Sequence, residues 1–198
     1  MHRVVLICED IGHEYIIAPI VNRICNEYDI TISIRVVKCS GSRIYQTLDV
    51  FLSHIRSGEE TAPDLMIVAV DANCKGYNQR REQLQNHITA DLSFSVIHAI
   101  PDPHIERWLL IDSHAFRVVL GKGCDAPDQK CDRDRYKVKL TEAILNADVI
   151  PLIGGLEHAE DIVREMNFTV MDHHDTSFHH FLTDLNTVLN QWRAESHH

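Results

Sequence analysis

The chain has 198 residues and a formal net charge of −10, from 19 lysines and arginines against 29 aspartates and glutamates. Hydrophobic residues make up 44% of the chain and charged residues 24%, which is typical of globular proteins and argues against a disordered chain. The acidic balance argues against a broad nucleic-acid-binding surface. The longest apolar runs, such as 65–70, are too short to span a membrane, so we expect none to do so.

The amino-terminal segment and the cysteines indicate a cytoplasmic protein. Residues 1–7 lead directly into Cys8-Glu9-Asp10 without a small-residue cleavage site, so we expect a core strand and not a signal peptide. The six cysteines form no CxxC pair, and in a chain without an export signal we expect free thiols. The alternative is that Cys124 and Cys131, which bracket an acidic loop, form a disulfide or bind a metal.

The first hundred residues alternate between strand and helix patterns. Apolar runs predict strands at 3–8, 30–38, 65–70 and 93–100, and the segments between them predict helices at 13–28, 43–57 and 77–90. Residues 39–42 are predicted to form the turn that caps the second helix. The strand at 30–38 alternates apolar and polar residues, which favours an edge position, whereas 65–70 is continuously apolar, as in a strand covered on both faces.

This alternation predicts an α/β fold with a mostly parallel sheet of about four strands and helices on both faces. After Pro103 the pattern becomes helical, with helices expected at 104–120, 134–147, 157–166 and 177–193. The short apolar runs at 149–152 and 168–171 are candidates for additional edge strands. We expect a single domain over residues 1–198, in which 1–102 form the sheet core and 103–198 a helical extension.

The candidate site follows from the ends of the predicted strands. In open parallel sheets, ligands bind beyond the carboxyl ends of the strands. Glu9 follows the first strand, Asp71 and Asn73 follow the third, and Glu106 follows the fourth. Carboxylate and amide oxygens suit Mg²⁺ or Mn²⁺, and two such ions can activate a water and stabilise the leaving oxygen of a phosphodiester. The alternative is that an acid such as Asp71 only caps a helix.

Two further groups of residues have competing interpretations. Lys75 and Arg107 near the predicted site, and Arg43 at the start of the second helix, are candidates for phosphate contacts or solvated partners of carboxylates. The string 172–175, which reads Asp-His-His-Asp, resembles a metal-binding motif, but Asp175 or Thr176 as the cap of the last helix is the simpler interpretation.

Three segments resemble TOPRIM-type domains. Residues 8–14, which read CEDIGHE, resemble the first motif of these domains, a strand followed by a glutamate and a helix. The segment 71–73, which reads DAN, resembles their DxD motif. Residues 105–116, which read IERWLLIDSHAF, resemble the ExWLL…D segment of small TOPRIM-like proteins from bacterial defence and mobile-element operons. These are relatives of the RloB family and, more distantly, of the OLD-family nucleases.

The resemblance implies a function and a set of roles. It implies a TOPRIM-like hydrolase, a Mg²⁺- or Mn²⁺-dependent nuclease that cleaves DNA or RNA in antiviral defence. Such a nuclease would act beside an AAA- or ABC-type ATPase partner. It is also a candidate homo-oligomer. Glu9 would be a general acid/base or a metal ligand, and Asp71 the principal metal ligand. Asn73 would be a weaker ligand, Glu106 would complete the site, and Glu14 would support it.

Three departures from the family pattern keep alternatives open. The glycine usual after the first glutamate is Asp10, the acid usual four residues after that glutamate is His13, and the second acid of DxD is Asn73. A neutral Asn73 lowers the charge of the site and its metal affinity. One alternative is therefore a catalytically inactive regulatory subunit that docks on the ATPase through its helical half. Another is a small-molecule phosphotransferase or phosphatase on a generic doubly wound sheet.

Overall fold

The strands form one parallel sheet. The computed structural model describes residues 1–39, 43–89, 91–132 and 134–196, so the predicted turn at 39–42 lies mostly outside the described residues. Within that part of the chain the sheet has four strands, β1 (His2–Cys8), β2 (Ile32–Lys38), β3 (Leu65–Ala69) and β4 (Ser95–Ala99), in the order β2-β1-β3-β4. All three pairings are parallel, which confirms the predicted α/β sheet, with β2 at an edge and β3 fully buried.

Helices cover both faces of this sheet. The helices α1 (Ile11–Glu27), α2 (Ile44–Ser57) and α3 (Tyr77–Gln85) each follow one of the first three strands. Alternate residues of β1 point to opposite faces: Leu6 packs in a core with α1, and Ile7 packs in a separate core with α2 and α3. The predicted covering of both faces is therefore confirmed.

The carboxyl-terminal half is helical, as predicted. Its helices are α4 (Glu106–Ile111), α5 (Ser113–Leu120), α6 (Arg135–Asn146), α7 (Ala159–Glu165), α8 (Phe168–His174) and α9 (Thr176–Ser196). Buried aromatic residues of this half, among them Trp108, Phe116 and Phe178, join the same core as α1. No helix in the described residues is both long enough and apolar enough to cross a membrane.

Three predicted elements of this half are wrong. The single helix expected at 104–120 is broken at Asp112, whose carboxylate accepts hydrogen bonds from the backbone N–H groups of His114 and Ala115 and so begins α5. No strand forms at 149–152, and 168–171 belongs to α8. The side chain of Asn167 caps α8 by accepting from the N–H groups that follow it, which favours a helix over a strand there.

The cysteines also differ from expectation. Cys74 and Cys131 form a disulfide, with their Cα atoms 5.2 Å apart, so the prediction of free thiols is wrong for this pair. Cys124 is free, so the pairing of Cys124 with Cys131 is wrong as well. The disulfide joins the segment after β3 to the segment before α6, two parts of the chain that are 57 residues apart.

Candidate active site

The register of the sheet brings three strand ends to one place. Cys8 pairs with Ala69, and Ala69 pairs with Ala99, so β1, β3 and β4 end level with one another. The residues that follow these strands, together with the start of α6, enclose a cleft of about 390 Å³. Its lining residues are Glu9, Asp10, Asp71, Asn73, His104, Glu106, Asp134, Tyr136 and Lys137. The structure thus brings together four of the predicted site residues, Glu9, Asp71, Asn73 and Glu106.

Both carboxylate oxygens of Asp71 have partners. Its Oδ1 accepts a hydrogen bond of 2.8 Å from the backbone N–H of Ile105, and its Oδ2 lies 3.0 Å from Nδ1 of His104. Arg80 donates from Nε to the backbone carbonyl of Asp71 at 2.9 Å. Asp71 therefore does not cap the short 3₁₀ helix at Asn73–Lys75, which has no side-chain cap, and the capping alternative is wrong.

His13 is a buried histidine between two carboxylates. Its Nδ1 lies 2.8 Å from Oδ1 of Asp10, and its Nε2 lies 3.3 Å from Oδ1 of Asp71 without the alignment of a hydrogen bond. Burial alone would lower the pKa of His13, but the charge of Asp71 and the hydrogen bond to Asp10 raise it to about 10. Burial alone would raise the pKa of Asp71, but its interactions with His13 and His104 hold that pKa below the usual value. The two residues form an ion pair at neutral pH.

Glu9 and Glu106 are compensated only in part, Glu9 by the charge of His13 and Glu106 by that of Lys137. One carboxylate oxygen of each is buried without a hydrogen-bond partner among the described residues. Burial, and then the nearby charge of Asp71, raise the pKa of Glu9 above its usual value and that of Glu106 to about 7. The cleft therefore holds more negative charge than its own cations neutralise.

The donor set fits a divalent metal ion. Ligand atoms of Glu9, His13 and Asp71 all lie within 4.8 Å of one another. The carboxylate oxygens suit Mg²⁺ or Mn²⁺, and the buried unpartnered oxygen of Glu9 is an atom that a cation would satisfy. His13 can ligate only as a neutral imidazole, so binding through it requires the loss of a proton.

Four predicted site residues lie elsewhere. Glu14 forms an ion pair of 2.6 Å with Lys38 of β2, because one residue along α1 turns the side chain by about 100° away from His13. Lys75 contacts Gln83, and neither it nor the exposed Arg43 lines the cleft. Arg107 is buried and pairs with Asp175, so its guanidinium is not brought to the cleft.

The string at 172–175 is explained by helix capping. Oδ1 of Asp175 accepts a hydrogen bond of 2.9 Å from the backbone N–H of Phe178 at the start of α9. Asp172 pairs with His179, and Nδ1 of His174 lies against the carbonyl of Val170. The described residues place no metal-ligand cluster at this string, and the cap that the sequence favoured is present.

Sequence reasoning missed several residues of the cleft. His104 and Asp10 lie next to predicted residues, and their titratable side chains at strand ends were the available signal. Lys137 carried no signal, because α6 reaches the cleft only through tertiary packing. Its Nζ lies 3.4 Å from Oδ2 of Asp10 and 3.9 Å from Oε1 of Glu106. Among the described lining residues, Lys137 is the one lysine or arginine.

Comparison with known proteins gives one finding. A family model described as "Domain of unknown function (DUF4276)" matches residues 8–186, a span that contains every residue of the cleft. No curated protein and no solved structure matches the chain.

Proposed function

The chain belongs to the DUF4276 family, a domain of unknown function, and from the geometry of its cleft we propose that it cleaves phosphodiester bonds of DNA or RNA with the help of Mg²⁺ or Mn²⁺. One observation carries the proposal. Three carboxylates, Glu9, Asp71 and Glu106, converge from three strand ends on one cleft, and two of them keep a buried oxygen without a partner. Native proteins rarely leave buried polar atoms unpaired unless a ligand or a function uses them.

Charge supports a cation as that ligand. Burial, and then the charge of Asp71, raise the pKa values of Glu9 and Glu106, so an excess of negative charge is unfavourable in this cleft. A divalent ion would relieve this excess, and when bound it would activate a water and stabilise a developing negative charge on phosphate oxygens. Within the protein, His13 and Lys137 each supply one positive charge that partly offsets the charge of these carboxylates.

The chain's own residues have distinct tasks in this proposal. Asp71 is held by Ile105 and His104, so it provides a fixed anchor at the floor of the cleft. Lys137 stands over Glu106 and Asp10 and is placed to contact a non-bridging phosphate oxygen. Glu106, with a pKa raised to about 7, can hold or release a proton near neutral pH.

One observation favours the second candidate, a regulatory subunit without catalysis. His13 as an imidazolium already supplies a positive charge between Asp10 and Asp71, in the place where a metal ion would act. In that case the cleft would be stabilised by the histidine alone. The protein would then act by docking on a partner.

The sequence resemblance extends the proposal to a biological setting. We propose that the protein is a TOPRIM-like, RloB-related nuclease of antiviral defence, that it works in the cytoplasm, and that it acts beside an ATPase partner or as a homo-oligomer. The family, the defence role and the partners rest on the resemblance of residues 8–14, 71–73 and 105–116. The cytoplasmic location is a separate prediction, to which the disulfide between Cys74 and Cys131 lends no support.

The proposal is tested by metal binding and by cleavage. Calorimetry measures the binding of Mg²⁺ and Mn²⁺, and gels follow the cleavage of plasmid, single-stranded DNA and tRNA, each with and without an AAA- or ABC-type ATPase as the proposed partner. We expect metal binding in the wild type, and loss of both metal binding and cleavage in Glu9→Gln and Asp71→Asn.

The matched control is Glu14→Gln, a carboxylate of the same helix as His13 that pairs with Lys38 outside the cleft. This variant should bind metal and cleave as the wild type does. Absence of both metal binding and cleavage in the wild type would overturn the proposed nuclease function and favour the regulatory subunit. Hydrolysis of phosphomonoesters without any cleavage of polynucleotides would indicate the phosphatase alternative.

A further inference from the structure

A second cavity of about 220 Å³ opens beside the acidic cleft. It shares three lining residues with the cleft, Asp10, Glu106 and Lys137. The rest of its wall comes from the start of α1, from α6 and from the segment before α7, and includes Ile11, Gly12, Leu140, Thr141, Ile153 and Leu156. Because the cavities share a boundary, a molecule bound in the cleft can place an adjoining group in the second cavity.

The walls of this cavity suit a small apolar group with a polar edge. Leu140 and Leu156 are buried, and Ile11 and Ile153 are each 41% exposed at the surface. The three charged residues lie at the boundary with the cleft. The volume is below the range of about 300–1,000 Å³ that is usual for drug-sized ligands, so one ring system fits and a whole nucleotide does not.

One wall of the cavity is held in place before any ligand binds. The carboxylate of Glu157 accepts hydrogen bonds from the backbone N–H groups of Leu152, Ile153 and Gly155, at 2.6, 2.9 and 3.1 Å. These three bonds fix the turn that carries Ile153. A preformed wall costs less ordering entropy on binding, which is the usual condition of a ligand site.

Asp10 provides an acceptor at the boundary of the two cavities. Its Oδ1 is engaged by the backbone N–H and the Nδ1 of His13, whereas its Oδ2 lies 3.4 Å from Nζ of Lys137. An ionised carboxylate only accepts hydrogen bonds. It therefore favours an exocyclic amino group, which cytosine carries where uracil and thymine present a carbonyl oxygen. Adenine and guanine also carry an exocyclic amino group, at other positions of a larger ring system.

We propose that the second cavity binds the nucleobase next to the phosphodiester bond that is cleaved, and that Asp10 selects bases with an exocyclic amino group. The inference rests on the proposed nuclease function for the identity of its ligand. Apolar walls receive the faces of the base, and Asp10 contacts its polar edge.

Nucleosides without phosphate test this site apart from the metal. Deoxycytidine and deoxyuridine have nearly the same size and differ at one position, where cytosine has an amino group and uracil a carbonyl oxygen. NMR titration of the leucine and isoleucine methyl groups, without metal, measures both affinities. We expect deoxycytidine to bind about tenfold more tightly, as for a hydrogen bond to a charged acceptor, with shifts at Leu140, Ile153 and Leu156.

Variants of the cavity sharpen the test. Asp10→Asn keeps a side chain that caps helices well, but its amide donates as well as accepts, so the preference for deoxycytidine should disappear. Thr141→Phe fills the cavity and should abolish the binding of both nucleosides. Val138→Phe, on the same helix but 52% exposed and outside both cavities, is the matched control and should bind as the wild type does.

Equal affinity for the two nucleosides, or binding that survives Thr141→Phe, would overturn the inference. The two proposals fail separately. If nucleosides bind as expected but polynucleotides remain intact, the result supports the nucleobase site and overturns the proposed nuclease function. If polynucleotides are cleaved but no nucleoside shifts the methyl signals, the result supports the nuclease function and overturns the nucleobase site.

Discussion

Two groups of buried charges lie side by side in this protein and differ in how they are paired. The first, the cleft cluster, consists of Glu9, His13, Asp71 and Glu106 at the strand ends. The second, the helix network, consists of Arg107, Trp108, Asp175 and Ser177 in the helical half. Glu106 and Arg107 are neighbours in α4, so one turn of helix supplies both groups.

The polar groups of the helix network pair mainly with one another. Both oxygens of Asp175 are engaged, Oδ2 by Arg107 and Oδ1 by the hydroxyl of Ser177 and the N–H of Phe178. The Ser177 hydroxyl also accepts from Nε1 of Trp108 at 3.2 Å. Among the described residues of this network, only Nε of Arg107 lacks a partner. Its charges therefore serve the packing of α4 against α9.

The hydrogen bonding of the cleft cluster is incomplete. Glu9, His13 and Glu106 each keep one buried polar atom without a hydrogen bond to any described residue. Such atoms destabilise the folded protein unless something outside the chain satisfies them. The difference teaches that burial of charge alone does not mark a functional site. Unpaired atoms alone do not either, since Tyr77, Arg81 and His98 carry them outside the cleft. What sets the cleft cluster apart is that carboxylates with such atoms converge on one cleft, and the following predictions test that distinction.

The largest effect is expected from opening the helix network. Asp175→Ala leaves the buried Arg107 without its counter-charge and should lower the free energy of unfolding by about 3–5 kcal/mol. Urea unfolding followed by circular dichroism measures the loss. Asp172→Ala is the control, because Asp172 pairs with the exposed His179 and its loss should cost far less. Equal effects of the two variants would contradict the role of the network.

The next effect is a gain in stability from the cleft. Because Glu106 has a pKa near 7 in the folded protein and an ordinary value of 4.5 when unfolded, its charge destabilises the fold as the pH rises from 4.5 through 7. Glu106→Gln removes this charge, so above pH 7 the variant should be more stable than the wild type by about 3 kcal/mol. Below pH 4.5 the two should be alike.

Urea unfolding at pH 4.5, 6 and 8 checks the sign. A difference between wild type and Glu106→Gln that does not grow with pH would show that Glu106 is compensated in solution. The pKa of His13 is also raised, so its contribution is lost at higher pH, but it is present in both proteins and cancels in the difference.

Metal ion should act on the cleft cluster alone. At a free Mn²⁺ concentration of 100 times the dissociation constant, binding stabilises the folded protein by about 2.7 kcal/mol. We expect this gain in the wild type, its reversal by a chelator, and its absence in Asp71→Asn, as measured by urea unfolding. A variant of the helix network that still folds should keep the full gain, and a gain retained by Asp71→Asn would place the metal elsewhere.

The sequence predicted the sheet and the acidic side of the cleft for the same reason. Apolar runs identify parallel strands, and parallel strands end at one edge, so Glu9, Asp71 and Glu106 could be placed together without knowing any contact. Lys137 and Cys131 could not, because their approach depends on how α6 packs. The break at Asp112 was hidden by apolar spacing that continues through it, and the run at 168–171 is too short to distinguish helix from strand.

The smallest effect is expected for Glu14→Gln, where the sequence and the structure disagree most directly. The resemblance made Glu14 a supporting metal ligand, whereas its carboxylate pairs with Lys38 at the edge strand β2. Lys38 is 52% exposed, and an ion pair with so exposed a lysine contributes little to stability, so this variant should unfold almost as the wild type does. It should also bind Mn²⁺ with unchanged affinity in calorimetry, while Glu9→Gln loses binding. Weaker metal binding by Glu14→Gln would mean that α1 turns Glu14 into the cleft when the ion binds, and that the boundary of the cleft cluster drawn from the ion pair with Lys38 is wrong.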